Sequence, residues 1–292
     1  MIIDSHAHYA YPKYRGEFWY LYERDGAYAV GCTDLESLLA QMKESGIVGF
    51  VEPAIGFDDL AGQLALIKAH HDCMWGTVGV HPTRCIHTAW KNRREVEKLA
   101  GINRIVAIGE TGLDYHYPRQ KQHRLRQKRW FVWQIKLAHR LELPLVLHIR
   151  EADRDALRIL RRYKKYLHGG IVHCFAGDSH LAEQYVELGF VLGIGGKLLG
   201  QPAQTNALRD TVANVPLSCL VVETDAPFVL PDLSELACSE KKKRKLCNSS
   251  FILPALLREI ASIRGEDVQT VEQTVYQNTV RAYGLTKQRR ET

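Results

Sequence analysis

The sequence predicts an α/β protein with the architecture of a single-domain (β/α)8 TIM-like barrel. Short runs of apolar and β-branched residues recur eight times along the 292 residues, and segments with apolar residues at helical spacing separate them. Such alternation is typical of a parallel sheet covered by helices. The eight-fold count and the chain length favour a barrel over an open doubly wound sheet. No GxGxxG motif follows the first run, which argues against a dinucleotide-binding fold.

The predicted strands are short apolar runs with polar residues, glycine or proline at their ends. In chain order they are IID near residue 2, VGFVEPA from 48, WGTVGV from 75, RIVAIGE from 104, PLVLHI from 144, GIVHCF from 170, GFVLGIG from 189 and CLVVETD from 219. Segments between them carry helical periodicity, and several end at a glycine or before a proline. They include DLESLLAQMKESG, HRLRQKRWFVWQIKLAHRLEL, EADRDALRILRRYKKY and SHLAEQYVELG.

Two segments fall outside this pattern, an aromatic loop at 9–33 and a basic stretch at 232–250 that precedes two C-terminal helices. We therefore expect one barrel domain over residues 1–285, with the aromatic loop as an insertion, and a basic C-terminal tail at 286–292. The sequence contains neither an internal repeat nor a recognisable domain linker.

The composition is that of an ordinary globular protein, with 46% hydrophobic and 25% charged residues. The chain starts without the pattern of a signal peptide and has no apolar run near 18 residues, so we expect a cytoplasmic protein that does not cross a membrane. Its seven scattered cysteines lack CxxC spacing and are expected to be reduced thiols. The net charge of +6 permits a polyanionic partner without requiring one.

Polar side chains with metal-binding capacity occur at the ends of several predicted strands. His6 and His8 alternate along the first strand, so both side chains can face the space at its carboxyl end. The HxH pair alone has two interpretations, a metal site or a chance occurrence. The same arrangement recurs at four further strand ends, those of Glu110, His148, His173 and Asp225.

Six such residues from five strands predict a shared metal site at the carboxyl face of the barrel. Imidazole nitrogen and carboxylate oxygen suit Zn, Mn, Fe or Mg, and a carboxylate can bridge two ions. The absence of a thiolate argues against a closed structural zinc site. Ordinary buried histidines and helix caps explain one or two of these residues, but unpaired buried charges are too costly to explain all six.

The motifs that carry these residues occur in a recognisable order: HxH at 6–8, GVHP at 79–82, GETGLDYH, LPLVLHIREA, GIVHCFAG and LVVETDAPF. In this order they resemble the TatD family of metal-dependent hydrolases, over nearly the whole chain. The resemblance implies a barrel of the metallo-dependent hydrolase type with two divalent ions, Zn, Mg or Mn. It also implies deoxyribonuclease activity, including removal of nucleotides from 3′ ends.

The same resemblance implies a role for each of the six ligands. By the family pattern one ion binds His6, His8 and Asp225, the other binds His148 and His173, and Glu110 bridges the two. A phosphodiester is an anion, so cations that neutralise its oxygens and generate hydroxide suit its hydrolysis. We expect Asp225 and Glu110 to be the catalytic residues, with Asp225 as the general base toward a metal-activated water. The expected partner is DNA or another phosphodiester.

Two other functions remain open from the sequence. An amidohydrolase-type enzyme would cleave C–N or ester bonds of a small molecule with the same barrel, although Glu110 stands where such enzymes usually have a carbamylated lysine. A non-catalytic nucleic-acid-binding protein would use the metal site for structure alone, and the complete ligand set argues against it. The sequence does not predict the oligomeric state, and a monomer is compatible with it.

Four residues near the predicted site are candidates for substrate binding: His81, Tyr115, Arg150 and Glu223. His81 could bind a phosphate, orient a ligand or cap a turn, and Tyr115 could stack on a base or bond to a phosphate. Arg150 has the planar guanidinium that suits phosphate, but a salt bridge at a helix start is equally open. Glu223 could support the metal ligands, contact substrate or pair with a buried basic residue.

The two unusual segments depart from the family pattern, which commonly has a short connection after the HxH strand. The 9–33 segment is rich in aromatic residues and carries scattered cations, which suits stacking on single-stranded bases. Packing of these aromatics on the barrel or in a dimer contact is the other interpretation. The KKKRK run at 241–245 could attract DNA phosphates or be a solvated loop, and Asn248 keeps one element of the family's usual motif.

Overall fold

A computed structural model describes residues 1–24, 26–56 and 60–285. The strands are β1 (Ile2–Asp4), β2 (Phe18–Arg24), β3 (Ala27–Thr33), β4 (Ile47–Glu52), β5 (Met74–Val78), β6 (Ile105–Asp114), β7 (Leu145–Arg150), β8 (Gly170–Val172), β9 (Phe190–Ile194) and β10 (Leu220–Val222). Eight of them form one sheet in the order β1-β4-β5-β6-β7-β8-β9-β10, and β2 pairs with β3 in a second sheet.

The helices alternate with the strands of the main sheet as the sequence predicts. They are α1 (Leu35–Glu44), α2 (Leu60–Ala69), α3 (Arg93–Leu99), α4 (Pro118–Gln122), α5 (Arg124–Arg140), α6 (Asp153–Arg162), α7 (Ser179–Val186), α8 (Pro202–Asn214), α9 (Glu240–Lys243), α10 (Leu253–Arg264) and α11 (Val268–Tyr283). The longest, α5, packs against β6 and buries Trp130, Phe131 and Ile135. Its apolar face therefore covers the sheet, as expected for an amphipathic helix.

The pairing of the strands identifies the fold class. β1 pairs with β4 in parallel, and β6, β7, β8 and β9 continue the sheet from β5 through parallel pairs. Just beyond β1, the Ser5 N–H donates to the Val222 carbonyl of β10 over 3.1 Å. The first and last strands of the order thus meet, and the arrangement confirms the predicted (β/α)8 TIM-like barrel.

The packing of the chain defines two compact units. The first comprises Met1–Val51, Cys174–Ala182 and Gly193–Thr279. The second comprises Glu52–His173, Glu183–Leu192 and the described residues 280–285. The assignment of 1–285 to a single domain stays a prediction, and the basic tail at 286–292 lies outside the described residues.

The aromatic segment at 9–33 is not a loop, and here the sequence-based prediction is wrong. A 3-10 turn at Pro12–Tyr14 leads into an antiparallel pair in which Phe18 faces Thr33 and Arg24 faces Ala27. Aromatic and β-branched residues favour such strands. A half-buried strand usually shows alternating apolar and polar residues. The sequence of β2 lacks this alternation because aromatic residues occupy both faces of the strand: Phe18 is buried, while Trp19 is 38% exposed.

The C-terminal part agrees with the prediction of a basic stretch followed by two helices. Within that stretch the short helix α9 begins after Ser239, whose hydroxyl accepts from the Lys242 N–H. Helix α10 ends at Gly265, which adopts a left-handed conformation with φ of 64°. All seven cysteines are free thiols, as predicted. None of the helices in the described part of the chain combines the length and the apolarity needed to cross a membrane.

Candidate metal centre

Three of the predicted ligands meet in the first unit, and we call them the aspartate group: His6, His8 and Asp225. The Nε2 atoms of His6 and His8 lie 3.2 Å apart. The Asp225 Oδ1 lies 3.6 Å from the His6 Nε2 and 3.3 Å from the His8 Nε2. Donor atoms bound to a tetrahedral ion at about 2.1 Å are about 3.4 Å apart. The three side chains therefore have the spacing of ligands around one ion.

Backbone hydrogen bonds hold the aspartate group in place. The Asp225 N–H donates to the His6 carbonyl over 2.9 Å, and the His8 N–H donates to the Ala226 carbonyl over 2.7 Å. Ala7 and Ala226 form an isolated parallel bridge between these two bonds. Asp225 itself has a φ of 53°, a left-handed conformation that non-glycine residues rarely adopt. Backbone strain of this kind is often found at functional sites. Here the two backbone hydrogen bonds hold Asp225 in the left-handed conformation.

A buried carboxylate that sequence reasoning missed lies behind the aspartate group. The Asp4 Oδ2 accepts hydrogen bonds from the hydroxyls of Thr224 and Ser250, both over 2.6 Å. Its Oδ1 accepts from the backbone N–H of Thr224 and of His6 over 3.1 and 3.2 Å. Burial raises the pKa of Asp4 to about 7, although these hydrogen bonds lower it. Asp4 thus ties the ends of β1 and β10 to each other.

The other three predicted ligands meet in the second unit, and we call them the glutamate group: Glu110, His148 and His173. The His173 Nε2 lies 3.2 Å from the Glu110 Oε2 and 3.1 Å from the His148 Nδ1. The His148 Nδ1 lies 3.8 Å from the same Glu110 oxygen. These distances also fit donor atoms around one ion. The prediction that Glu110 closes its strand is wrong, because β6 continues to Asp114.

Asp114 is the second carboxylate that the sequence analysis missed. Its Oδ2 lies 3.1 Å from the His148 Nε2, the ring atom opposite the one that faces Glu110 and His173. Burial alone would lower the pKa of His148, but hydrogen bonds to Asp114 and Glu110 raise it to about 9. Burial likewise opposes ionisation of Asp114, yet the bond to His148 lowers the pKa of that carboxyl. A carboxylate on the outer nitrogen orients an imidazole for metal binding.

Asp114 is held in turn by the side chain of Gln127 on α5. The Asp114 N–H donates to the Gln127 Oε1, and the Gln127 Nε2 donates to the Asp114 carbonyl, each over 2.8 Å. The His116 N–H donates to the Asp114 Oδ1 over 3.0 Å. Asp114 is part of the GETGLDYH motif, so the sequence contained a signal for this second carboxylate. It was missed because the strand was expected to end at Glu110.

His81 lies beside the glutamate group, as the sequence analysis expected of a residue near the site. Its ring centre lies 4.2 Å from that of His148, and His81, Glu110 and His148 have donor atoms within 4.8 Å of one another. The Thr83 N–H donates to the His81 Nδ1 over 3.1 Å. Burial and the neighbouring His148 lower the pKa of His81 to about 3, so the ring is neutral at pH 7. Because Nδ1 is an acceptor, the proton of the neutral ring lies on Nε2.

Glu223 is buried, and its carboxylate accepts a hydrogen bond from the Cys174 N–H. A Cβ atom at Gly193 would lie 2.1 Å from the Glu223 Oε2, so only glycine leaves room for this carboxylate. Cys174, directly after the ligand His173 in sequence, has a φ of 52°. Of the roles left open for Glu223, its contacts favour support of the backbone next to a ligand.

The remaining two candidates, Tyr115 and Arg150, make contacts away from the metal ligands. The Tyr115 hydroxyl donates to the Asp155 Oδ2 over 2.9 Å, and its N–H donates to the Arg150 carbonyl. Arg150 is exposed, and its guanidinium lies 5.6 Å from the centre of the Tyr117 ring. A substrate contact by either residue stays a prediction.

The donor chemistry of both groups fits divalent metal ions. Each group combines imidazole nitrogens with a carboxylate, the ligand set of zinc, manganese and iron sites. The side chains of His6, His8, Glu110 and His173 are at most 6% exposed, so a bound ion would be largely withdrawn from solvent. Whether the two groups together form one centre stays a prediction.

Comparison with known proteins agrees with this chemistry. A family model described as TatD-related DNase matches residues 3–284. The 3′-5′ ssDNA/RNA exonuclease TatD of Rahnella sp. is 31% identical over 257 residues, which cover 88% of this chain and 94% of the relative. A protein of Mycobacterium tuberculosis described as an uncharacterized metal-dependent hydrolase TatD is also 31% identical, over 88% of this chain and 95% of its own length.

Solved structures give the same result for the fold. The TatD homologue YjjV of Escherichia coli K12 is 25% identical and superimposes with a TM-score of 0.77, over 97% of this chain and 98% of its own. A TatD family hydrolase from Entamoeba histolytica has a TM-score of 0.79 at 21% identity, over 97% of each chain. The family model spans almost the entire chain, and the relatives match it over most of their length. The chain therefore belongs to the family of TatD-related DNases.

Proposed function

We propose that this protein is a divalent-metal-dependent hydrolase that cleaves phosphodiester bonds at the ends of nucleic acid strands, with DNA as a substrate. The observation that carries the proposal is the aspartate group, in which two imidazoles and one carboxylate surround a space the size of one ion. The glutamate group supplies a second set of the same chemistry. Two relatives whose names specify a 3′-5′ ssDNA/RNA exonuclease support the choice of substrate and strand end.

In this proposal the aspartate group would hold one ion, and Glu110, His148 and His173 would hold a second. Divalent ions, when bound, supply the positive charge that a phosphodiester needs for attack and make water a stronger nucleophile at neutral pH. Zn, Mg and Mn all suit the donor set. The protein's part is to orient the imidazoles, which Asp114 does for His148.

Asp225 is the proposed general base. Its side chain is 16% exposed, whereas those of His6 and His8 are 1% and 5% exposed, so the carboxylate is the member of the group that solvent and substrate reach most easily. An ionised carboxylate at this position can accept a proton from the attacking water. His81 can contribute a hydrogen bond, because its neutral ring carries an Nε2–H that can donate to a phosphate oxygen.

The substitution Asp225→Asn tests this assignment. We expect kcat to fall by about 10²- to 10⁴-fold because the amide cannot accept the proton. Metal content, measured by mass spectrometry of the purified protein, should stay close to that of the wild type. The matched control is Glu187→Gln, which removes one exposed carboxylate charge outside both groups. Full turnover by the Asp225→Asn variant would show that the general base is another group.

The substrate class needs a separate experiment with defined ends. Single-stranded and duplex DNA, RNA, a short phosphodiester and a cyclic amide should each be incubated with Mg, Mn and Zn. We expect cleavage of the nucleic acids from the 3′ end and of the short phosphodiester. Hydrolysis of the cyclic amide alone would favour the amidohydrolase alternative, and absence of any turnover would favour the non-catalytic one. A cytoplasmic location and a monomeric state stay predictions that cell fractionation and light scattering can test.

A further inference from the structure

The two segments that depart from the family pattern are joined to each other in the structure. The Leu21 N–H donates to the Cys247 carbonyl over 2.9 Å, and the Cys247 N–H donates to the Trp19 carbonyl over 2.8 Å. Tyr20 and Cys247 form a parallel bridge. The Ser249 hydroxyl adds a bond to the Leu21 carbonyl over 2.5 Å. The chain around Cys247 is thus paired with β2 of the hairpin through one bridge.

A small hydrophobic core fixes this arrangement from within. Leu21 of the hairpin packs with Leu236, Leu246 and Ile252, and Tyr28 and Val30 of β3 lie against the same cluster. Leu21 and Ile252 are fully buried. A two-stranded hairpin alone is marginally stable, and here this core and the backbone pairing with Cys247 hold it in place. The surface above this core is therefore ordered before any ligand arrives.

The aromatic residues of the insertion divide into a buried set and an accessible set. Tyr9, Tyr14, Phe18 and Tyr20 are at most 8% exposed, so packing explains them. Tyr11 is only partly buried, and its ring lies 5.0 Å from that of Phe228 in a T-shaped contact. Phe228 is partly exposed and lies 6.0 Å, centre to centre, from the metal ligand His8. An accessible aromatic pair thus begins directly beside the aspartate group.

Cations accompany both accessible aromatic positions. The Lys13 Nζ lies 5.9 Å from the centre of the Phe228 ring. The Lys242 Nζ lies 3.6 Å from the centre of the ring of Trp19, which is 38% exposed. Lys242 belongs to the KKKRK run, so one lysine of the basic stretch lies over the hairpin. Aromatic faces interleaved with lysines are the elements of single-strand nucleic acid binding.

We propose that Tyr11, Lys13, Trp19, Phe228 and Lys242, which we call the aromatic-basic surface, bind the strand of nucleic acid behind the end that is cleaved. A base next to the scissile phosphate stacks on Tyr11 and Phe228, and a base farther along the strand stacks on Trp19. Lys13 and Lys242 contact the phosphates between them. This inference rests on the proposed function, because it names how the same site holds a strand rather than a small phosphodiester.

Binding without cleavage tests the aromatic-basic surface. Labelled oligothymidylates of increasing length should be titrated in the presence of a chelator, with fluorescence anisotropy as the readout. For the wild type we expect Kd to fall as the strand lengthens. Trp19→Ala and Tyr11→Ala should each raise the Kd of the longer strands about fivefold or more, because each loses one stacking contact. Trp19→Phe keeps a ring at the same place and should restore most of the affinity.

Two controls separate stacking from charge and from misfolding. Lys98→Ala removes one exposed lysine of α3 and should leave the Kd unchanged, whereas Lys242→Ala should raise it. A strand with abasic sites offers phosphates but no bases, so Trp19→Ala should bind it as the wild type does. Circular dichroism and thermal unfolding of each variant show whether the hairpin is intact.

The results distinguish this inference from the proposed function. If the wild type cleaves nucleic acid but folded Trp19→Ala and Tyr11→Ala variants bind long strands as the wild type does, the aromatic-basic surface is not a strand-binding site. The same conclusion follows if Trp19→Ala weakens binding of abasic strands as much as of intact ones. If the wild type cleaves no phosphodiester at all, the proposed function fails instead, and the anisotropy titration still decides whether the surface binds a strand.

Discussion

The aspartate group and the glutamate group have similar ligands but are supported in different ways. His6, His8 and Asp225 are fixed by backbone hydrogen bonds between two chain segments, with Asp4 bonded to both of them. In the glutamate group a side chain supports a side chain, since Asp114 orients His148. Backbone support couples metal ligands to folding, whereas side-chain support can change without loss of the fold. Substitutions behind the two groups should therefore have different consequences.

The largest effect on stability is expected for Asp4→Ala. The substitution leaves two backbone N–H groups and the hydroxyls of Thr224 and Ser250 without their buried acceptor. Four buried donors lose their partner at a cost of about 1 to 3 kcal/mol each, so we expect a loss of at least about 4 kcal/mol in the free energy of unfolding. Urea denaturation in the presence of a chelator measures it without a metal contribution.

The matched control for this substitution is Asp34→Ala. Asp34 caps helix α1 by accepting from the Ser37 N–H over 2.9 Å, at an exposed position in the same unit. Loss of such a cap costs about 1 kcal/mol. An equal and small loss for both variants would mean that the buried network does not tie the aspartate group to the fold.

The next effect in size is the stabilisation by metal itself. At an ion concentration about 100 times its Kd, a ligand that binds only the folded state adds about 2.7 kcal/mol to the free energy of unfolding. We expect this gain for the wild type with Mg, Mn or Zn, and only part of it for His6→Ala or for His148→Ala. Thermal unfolding with and without each ion measures the gain. No gain for the wild type with any of the three ions would contradict the metal assignment of both groups.

The smallest of the three effects is expected for Asp114→Asn. Removing the carboxylate partner of a ligating histidine typically weakens metal binding about 10- to 100-fold, while the amide preserves the shape of the side chain. A titration against a coloured chelator measures the affinity, and urea denaturation of the metal-free protein should show little change. Asp155→Asn is the control, because Asp155 bonds to Tyr115 rather than to a metal ligand. Unchanged affinity in Asp114→Asn would show that His148 needs no orienting partner.

The sequence indicates the proposed metal ligands more directly than the residues that hold them in place. The Nε2 atoms of His6 and His8 lie together as strand alternation predicts, but the prediction that both residues belong to the first strand is wrong, because β1 ends at Asp4. The partners of Asp4 are 220 and 246 residues away in the chain, and no local pattern connects them. Asp114 was missed for a different reason. The pairing of β6 with β7 shifts register between Ile108 and Thr111, and the strand continues beyond the point where its apolar run ends.

For the hairpin, the sequence indicated the position of an unusual segment but not its secondary structure. Its composition correctly indicated an unusual segment, and its place after His8 was clear, but its strands were not. In a two-stranded sheet one face packs while the other meets solvent, and tyrosine and tryptophan are accepted on both. Only the partner segment around Cys247, more than 200 residues later in the chain, decides which aromatic faces inward.

The pairing of Cys247 with the hairpin has a consequence for engineering this barrel. Excision of residues 9–33 would strip Leu236, Leu246 and Ile252 of their apolar neighbours and leave the Cys247 N–H and carbonyl without partners. A shortened barrel would then expose an apolar patch and unpaired backbone groups, both of which promote aggregation. The hairpin and the segment from 230 to 252 therefore form one structural unit. They should be deleted from this barrel, or transferred to a related one, only as a pair.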